Sequence, residues 1–271
     1  MKKIMVLVLI FSMAVFGSCQ KKDTPERLIM AIPDQTMMGL VLIAERLGYF
    51  EEENLIIEMF HPSSGRDAII SVLEGRADIG GSAEYPIAKE IYNGANLQVL
   101  TTIFRTNENL KLIAIRDHNI ATVADLKGKR IACTFGTSGE YALSLILKEN
   151  GLEDKEVEKV DTEPGDMTKV LLSGSVEAVV AWQPHVYNTL TAFPESELVI
   201  FKSMSFTEMS LLASTSEKIK EKEEAFLRLG RVLIRTEDYI SLNSEEALKL
   251  LIDDLSDQSP DMLRSIWPDL Y

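Results

Sequence analysis

The sequence predicts an α/β protein made of two similar lobes, and three of its features support this prediction. Short apolar runs alternate with amphipathic segments of helical period, which is typical of α/β architecture with largely parallel sheets. The pattern starts again after a polar stretch at 105–109, where we expect the chain to cross into the second lobe. The segments 73–79 and 172–178 share one order of features: the end of a helix, a glycine, two residues, an acid and an apolar strand.

The first half of the chain contains four predicted strands separated by helices. The first strand, at 28–32, ends at Pro33, and the following helix at 39–47 ends at Gly48, a residue suited to a left-handed helix terminus. The remaining strands are predicted at 56–60, 78–81 and 97–104, and the remaining helices at 66–74 and 87–92.

The second half repeats this scheme and then becomes helical. Strands are predicted at 112–115, 130–134, 157–160, 178–181, 198–201 and 209–213, with helices at 138–149 and 166–172. Three closing helices are predicted at 222–242, 244–255 and 260–266, the second beginning with a capping serine and two acids. We therefore expect one lobe to comprise residues 27–108 and 206–271, and the other residues 109–205.

The N-terminus has the composition of an export signal. A pair of lysines precedes an uncharged apolar run at 4–16, which is too short for a permanent membrane span. A glycine and a serine then precede Cys19, an arrangement that resembles the bacterial lipobox, although Phe16 stands where leucine is usual. The resemblance implies that 1–18 is a lipoprotein signal peptide, that Cys19 carries palmitate-type acyl chains, and that 19–26 is a tether. An ordinary signal peptide with a chance cysteine is the alternative.

Composition narrows the class of protein further. The 271 residues carry a formal net charge of -14, so the chain lacks the basic face that nucleic acid binding needs. Apolar residues make up 46%, which is enough for a full core. With Cys19 used as an anchor, Cys133 is the one remaining thiol, and the fold must be stable without an internal disulfide.

Four segments, taken in order, carry a resemblance to a known family. They are AERLGYFEEENL at 44–55, LEGRADIG at 73–80, VADLKGKRIA at 123–132 and GSVEAVVAWQP at 174–184. Together they resemble the nitrate-, sulfonate- and taurine-type solute-binding proteins of bacterial ABC importers, a group that includes binders of thiamine pyrimidine precursors. Glu177 stands where that family usually has aspartate.

This resemblance implies a type II periplasmic-binding-protein fold: two α/β lobes joined by a hinge, with a ligand cleft between them. It implies an extracytoplasmic, lipid-anchored subunit that captures a small solute, contacts ABC permease subunits and the membrane, and catalyses no reaction. No cofactor or metal is expected, and we expect a monomer. Relatives generally continue beyond the segment 267–269, so we expect a reduced C-terminal cap or a truncated product at Tyr271.

The loops after the predicted strands hold the candidate ligand-binding residues, because ligands of such sheets bind beyond the carboxyl ends of the strands. These candidates are Gln35, Thr36, Ser63, Ser64, Gly65, Ser82, Ala83, Glu84, Gly136, Thr137, Ser138, Trp182 and Gln183. Two of the loops lie at predicted helix starts, where exposed amides favour anions or polar oxygen groups. Plain helix capping is the alternative for each hydroxyl, and a core position is the alternative for Trp182.

Acidic residues near these loops bear on the class of solute. Glu84 and Glu140 flank two of the loops and Glu208 lies near the return crossing, which favours a neutral or cationic heterocycle with hydrogen-bond donors over a bare anion. We expect such a ring to stack on Trp182. Arg66, beside another loop, is expected to be solvated or paired.

Two other functions remain open on the sequence alone. Some relatives of this fold make a pyrimidine from a bound cofactor with a histidine and a cysteine-rich loop, but this chain has no such loop, and its histidines lack metal-ligand spacing. Cys133 ends a predicted strand and is expected to be a buried hydrophobe rather than a nucleophile. A ligand sensor that contacts a signalling receptor uses the same cleft and fits the sequence equally.

Overall fold

The computed structural model describes residues 24–256 and 258–269, and within them the chain forms two five-stranded β-sheets covered by helices. The predicted signal peptide, most of the tether and the lipidation site at Cys19 lie outside these residues. Among the described residues, every helix is too short or too polar to serve as a membrane span.

The strands and helices follow the order expected for two α/β halves. The strands are β1 (Glu26–Ala31), β2 (Leu55–Phe60), β3 (Ile79–Ala83), β4 (Leu97–Thr106), β5 (Lys111–Ile115), β6 (Arg130–Cys133), β7 (Glu158–Asp161), β8 (Ala178–Ala181), β9 (Leu198–Phe201) and β10 (Glu208–Thr215). The helices are α1 (Gly39–Arg46), α2 (Tyr49–Glu52), α3 (Gly65–Leu73), α4 (Glu84–Tyr92), α5 (Ser138–Glu149), α6 (Met167–Leu172), α7 (His185–Ala192), α8 (Ser216–Glu221), α9 (Glu223–Leu242), α10 (Ser244–Asp254) and α11 (Pro260–Ile266).

The two sheets have the same topology. Their strand orders are β2-β1-β3-β10-β4 and β7-β6-β8-β5-β9. In each sheet one strand runs against the others: β10 is antiparallel to β3 and β4, and β5 is antiparallel to β8 and β9. In both cases the reversed strand is the first one that the chain forms after passing from the other sheet. The chain makes this passage twice, through 107–110 and through 202–207.

Helices lie on both faces of each sheet, which explains why the inner strand β8 is a continuous, fully buried apolar run. Helices α1, α9, α10 and α11 pack on one face of the first sheet, and α3 and α4 on the other. Helix α5 covers one face of the second sheet, and α6 and α7 cover the other.

The periodicity of the sequence missed two helices and misplaced a boundary. Helix α2 has only four residues, too few to show a helical period, and it follows Gly48, which has a φ of 70°. Helix α7 was not predicted, since its sequence HVYNTLTA is rich in residues of modest helix propensity. The predicted helix at 222–242 is preceded by the separate helix α8, and Lys222 lies between the two.

The repeated glycine–acid pattern has a common structural role in the two sheets. Asp78 accepts a hydrogen bond from the backbone N–H of Ile29 at 2.8 Å, and Glu177 accepts one from the backbone N–H of Arg130 at 2.7 Å. Each acid thus joins the start of β3 or β8 to the strand beside it. Each also pairs with a cation, Lys222 for Asp78 and Arg130 for Glu177.

Replacement of Asp78 by alanine is expected to destabilise the fold more than the equivalent change at Glu177. The Asp78 side chain is only 5% exposed, and its Oδ2 lies 2.6 Å from the Lys222 Nζ. Removing it leaves the backbone N–H of Ile29 without its acceptor, and leaves the partly buried Lys222 ammonium without a counter-charge at that distance, bonded to the Arg27 carbonyl. We expect a loss of about 3 kcal/mol in the free energy of unfolding. Urea denaturation measures both variants. Equal losses in Asp78→Ala and Glu177→Ala would contradict the role assigned to burial.

Candidate functional site

A single gap lies where the strand ends of the two sheets face each other. The gap is narrow in this structure: its cavity volume is about 20 Å³, which is room for about one water molecule. Its lining comes from both sheets: Gln35, Met37, Ser64, Gly65, Arg66, Ser82, Ala83, Pro86, Thr137, Ser138, Trp182 and Glu208.

The topology explains why these residues meet. Gln35 follows β1, Ser64 and Gly65 follow β2, and Ser82 and Ala83 end β3. Because β10 is reversed, its first residue, Glu208, lies at the same edge as the last residues of its neighbours. In the second sheet, the gap-lining residues follow β6 and β8 in the same way.

Most of the sequence candidates line the gap, and the others have different contacts. Those in the gap are Gln35, Ser64, Gly65, Ser82, Ala83, Thr137, Ser138 and Trp182. Thr36, Ser63, Glu84, Gly136 and Gln183 are not among its lining residues. The side chains of three of these bond elsewhere: Ser63 donates to Asp67, Glu84 accepts from the N–H of Met209, and Gln183 accepts from the N–H of Tyr187.

Two hydroxyls at the gap cap helices, as the alternative interpretation of the sequence allowed. The Ser64 Oγ accepts a hydrogen bond from the N–H of Asp67 at 3.2 Å and donates to its carboxylate at 2.8 Å. The Thr137 Oγ1 accepts one from the N–H of Gly139 at 3.2 Å and donates to the carbonyl of Thr134 at 2.7 Å. Their hydrogen-bonding capacity is therefore largely used within the protein.

Three other polar atoms around the gap are buried without a hydrogen-bond partner among the described residues. They are the Ser82 Oγ, the Ser138 Oγ and the indole Nε1 of Trp182. Leaving such an atom unsatisfied costs about 1–3 kcal/mol, and native proteins rarely tolerate it. All three residues line one gap. The arrangement is therefore suited to a molecule that supplies polar atoms from within it.

Glu208 adds a buried carboxyl group to the gap. The residue is only 4% exposed, and its Oε2 accepts a hydrogen bond from the Asn109 Nδ2 at 2.6 Å. Burial raises the pKa of Glu208 to about 7; the Asn109 hydrogen bond opposes the rise, and the charge of Glu84 adds to it. The carboxyl group can therefore accept hydrogen bonds from a donor in the gap once it is ionised.

Trp182 belongs to the gap and to the core at once. It is 6% exposed and packs within the apolar cluster under α5. Its ring edge lies against Gly139, where a Cβ would meet the Cζ3 atom at 3.4 Å, and it contacts His185 edge-on with ring centroids 6.0 Å apart. A place at the gap and a place in the core, the two alternatives that the sequence left open for Trp182, are therefore compatible.

Gly65 is required by a close approach between α3 and β3. A Cβ at this position would lie 2.6 Å from the Ser82 Oγ and 2.9 Å from the Ser82 Cα. No side chain fits there without displacing backbone, so the glycine keeps the start of the helix against the strand end. The Ser82 hydroxyl is thereby held at the gap.

Contacts across the mouth join the two halves. The Arg66 guanidinium pairs with Asp67, as expected, but its Nη1 also donates to the carbonyl of Phe135 at 2.7 Å on the other side. The rings of Tyr85 and Tyr141 stack with centroids 5.1 Å apart and planes 21° apart. Sequence reasoning did not predict either contact, since the partners are 69 and 56 residues apart in the chain.

No metal site is evident among residues 24–256 and 258–269. Within those ranges, no three His, Cys, Asp or Glu side chains are grouped as ligands. Cys133 is buried, and desolvation raises the pKa of its thiol to about 12, so it is not a thiolate at neutral pH.

Two sheets of equal strand order, with a gap at their facing strand ends, define a protein of the periplasmic-binding-protein fold. The alkanesulfonate-binding protein SsuA of Xanthomonas axonopodis pv. citri, solved bound to MOPS, is similar with a TM-score of 0.77 at 18% identity, over 92% of this chain and 87% of that one. A Candida albicans protein described as having the generic periplasmic binding protein fold gives 0.71 at 18% identity, over 91% of this chain and 81% of that one. The predicted two-lobed α/β fold is confirmed.

The chain belongs to the NMT1/THI5-like family, whose model matches residues 35–247. A Haemophilus influenzae protein named for thiamine biosynthesis is 23% identical over 217 residues, which cover 78% of this chain and 68% of the relative. The taurine-binding periplasmic protein of Escherichia coli is 23% identical over 138 residues, which cover 51% of this chain and 42% of the relative. The resemblance inferred from the four sequence segments is confirmed.

Replacement of Glu208 by glutamine tests the electrostatics of the gap. Burial holds the pKa of this carboxyl near 7, above the ordinary value of 4.5, so its ionisation costs stability as the pH rises through that interval. Glutamine has no charge and can still accept from Asn109. We expect Glu208→Gln to stabilise the unliganded protein by about 3 kcal/mol at about pH 8, and by much less near pH 5.

Urea denaturation at the two pH values measures this difference. The exposed control Glu197→Gln should show no such pH dependence. A Glu208→Gln effect that is equal at both pH values would contradict the assignment.

Proposed function

We propose that this protein is the extracytoplasmic solute-binding subunit of an ABC importer and that it closes around a small polar organic solute in the gap. One observation carries the proposal: polar atoms from both halves are buried without a hydrogen-bond partner and line the same gap. These atoms are Ser82 Oγ, Ser138 Oγ and Trp182 Nε1. The names of relatives support it, since they include sulfonate- and taurine-binding proteins. The predicted lobes, 27–108 with 206–271 and 109–205, are taken as the moving parts.

The solute class that we favour carries a hydrogen-bond donor, such as the amino group of a pyrimidine. Glu208 offers a buried acceptor, while Trp182 offers an indole N–H and a ring face for stacking. The similarity to a protein named for thiamine biosynthesis agrees with such a heterocycle. A sulfonate is the second candidate, because Arg66 lines the gap and the structural relative from Xanthomonas axonopodis binds the sulfonate MOPS.

The remaining parts of the proposal concern partners and location. A lipid anchor at Cys19 would tether the protein to a bacterial membrane beside the permease subunits that receive the solute, with the protein acting as a monomer. A pyrimidine-synthase-like role that uses cysteine chemistry is disfavoured, because Cys133, the one thiol among the described residues, is buried and desolvation raises its pKa to about 12. A sensor that contacts a signalling receptor would use the same gap.

A binding screen tests the proposal directly. We expect one small solute to raise the melting temperature, because a ligand that binds only the folded state stabilises it. Taurine and ethanesulfonate form a matched pair that differs in the amino group, and 4-aminopyrimidines and nitrate extend the set. Binding should also change the fluorescence of Trp182, with Trp267→Phe as the control that leaves this signal in place. Absence of binding across all these classes would overturn the proposal.

The anchor is tested separately. If Cys19 is lipidated, Cys19→Ser should move the protein from the membrane fraction to the soluble fraction after cell disruption, because the acyl chains supply the membrane affinity. Cys133→Ser is the matched control and should leave the protein in the membrane fraction. A Cys19→Ser variant that stays membrane-bound would remove the lipoprotein assignment.

A further inference from the structure

Asn109 lies behind the gap and joins two of its walls. It is 6% exposed and sits in the first passage between the sheets, between β4 and β5. Its Nδ2 donates to the Glu208 Oε2 at 2.6 Å, and its Oδ1 accepts from the backbone N–H of Gln183 at 3.1 Å. Asn109 is not itself among the residues that line the gap.

The two partners of Asn109 belong to different sheets and both adjoin the gap. Glu208 is the first residue of β10, directly after the second passage. Gln183 follows Trp182 beyond β8. The Asn109 side chain therefore holds the Glu208 carboxyl group on one wall of the gap. It also holds the Gln183 backbone, next to Trp182, on the other wall.

A side-chain amide suits both contacts without a charge. It presents one carbonyl oxygen as acceptor and one NH₂ group as donor, in fixed relative directions. Aspartate would keep the acceptor for Gln183 but lose the donor to Glu208, and leucine would lose both at similar size. The two interactions can thus be separated by substitution.

The surroundings contain few other charges that face this amide. The carboxylate of Glu84, on α4, acts on Glu208 from the first lobe and accepts the N–H of Met209 at 2.9 Å. Glu108, next to Asn109 in the chain, is paired with Lys111 and Lys202. The Ser138 hydroxyl faces Glu208 from the opposite wall and opposes the rise in its pKa, although no hydrogen bond of normal geometry joins the two groups.

We propose that Asn109 is a positioning residue for solute binding, which sets the Glu208 carboxyl group and the Trp182–Gln183 backbone relative to each other across the gap. The role in solute binding rests on the proposed function, whereas the positioning of Glu208 and Gln183 by Asn109 is a property of the unliganded protein. Asn109 lies on one passage and its partner Glu208 directly follows the other, so rotation of the lobes would pivot beside this amide. Solute contact and lobe orientation are then linked through one side chain.

The positioning is tested without any solute, by ¹³C NMR titration of the glutamate carboxyl carbons. The Glu208 signal is identified by its loss in Glu208→Gln. Because the Asn109 hydrogen bond favours the ionised form, Asn109→Leu should raise the midpoint of Glu208 by about one pH unit. Asn109→Asp should raise it further, since a second acid then faces Glu208. Asn107→Leu and Asn107→Asp, at an exposed position of the same passage, are the matched controls and should leave the midpoint in place.

A second NMR measurement monitors the wall formed by Trp182 and Gln183. The indole N–H signal of Trp182 should shift in Asn109→Leu but much less in Asn109→Asp, which keeps the acceptor for Gln183, while the signal of Trp267 stays fixed in both. With taurine or a 4-aminopyrimidine, whichever stabilises the wild-type protein, Asn109→Leu should weaken binding at least 10-fold at a pH where Glu208 is ionised.

The outcomes separate the two proposals. If the Glu208 midpoint and the Trp182 signal are unchanged in folded Asn109 variants, the positioning role is wrong, whatever binds. If they shift as expected and the affinity is nevertheless unchanged, Asn109 does not position for binding and the inference is also wrong. If no solute binds the wild-type protein, the proposed function fails while the titration still decides the coupling. Circular dichroism checks that each variant is folded. If Asn109→Leu does not fold, the titration midpoint of Glu208 in Asn109→Asp decides whether Asn109 has the positioning role.

Discussion

The hydrogen bonding of β10 between β3 and β4 is the interaction on which the rest of this molecule depends. It incorporates β4 into the first sheet, because β4 pairs with β10. It also returns the chain to the first sheet, so that α9, α10 and α11 can cover one of its faces. Since β10 runs against its neighbours, it begins where they end, and its first residue is delivered to the gap. The reversed strand therefore builds the sheet and supplies the acid of the site.

Burial has opposite consequences at the two ends of the first sheet. At the start of β3, the Asp78 carboxylate is paired with Lys222 and with the backbone, and the strand is fastened to its neighbour. At the end of β3, the Ser82 hydroxyl is equally buried but has no partner in the described part of the chain. The first arrangement stabilises the fold, while the second leaves a cost that a bound molecule can relieve. The start of β3 thus stabilises the fold, whereas its end holds a buried hydroxyl that is available for a hydrogen bond with a bound molecule.

Local sequence was sufficient for most of the architecture, and the strand-end rule located most of the gap. The predicted helices at 138–149 and 260–266 and the strands at 178–181 and 198–201 agree with the structure residue for residue. Loops such as Ser64–Gly65 could be selected because apolar runs end there. Glu208 was noted near the return crossing, but its place in the gap could not be predicted, since it depends on the pairing of β10 with strands more than 100 residues earlier. Its signal in the sequence is a single acid at the start of a strand that has no other charged residue.

The contacts at the mouth of the gap are made by side chains that differ from those deepest within it. The Tyr85–Tyr141 stack and the bond from Arg66 to the Phe135 carbonyl are partly open to water, whereas Ser82, Ser138 and Glu208 are sealed. Under the proposed function, separate groups of residues would therefore set how long the closed form persists and which solute it selects. In that case the residence time of the solute could change in evolution, or be tuned in an engineered biosensor, through Tyr85 and Tyr141 alone, while the buried groups that recognise the solute stay unchanged.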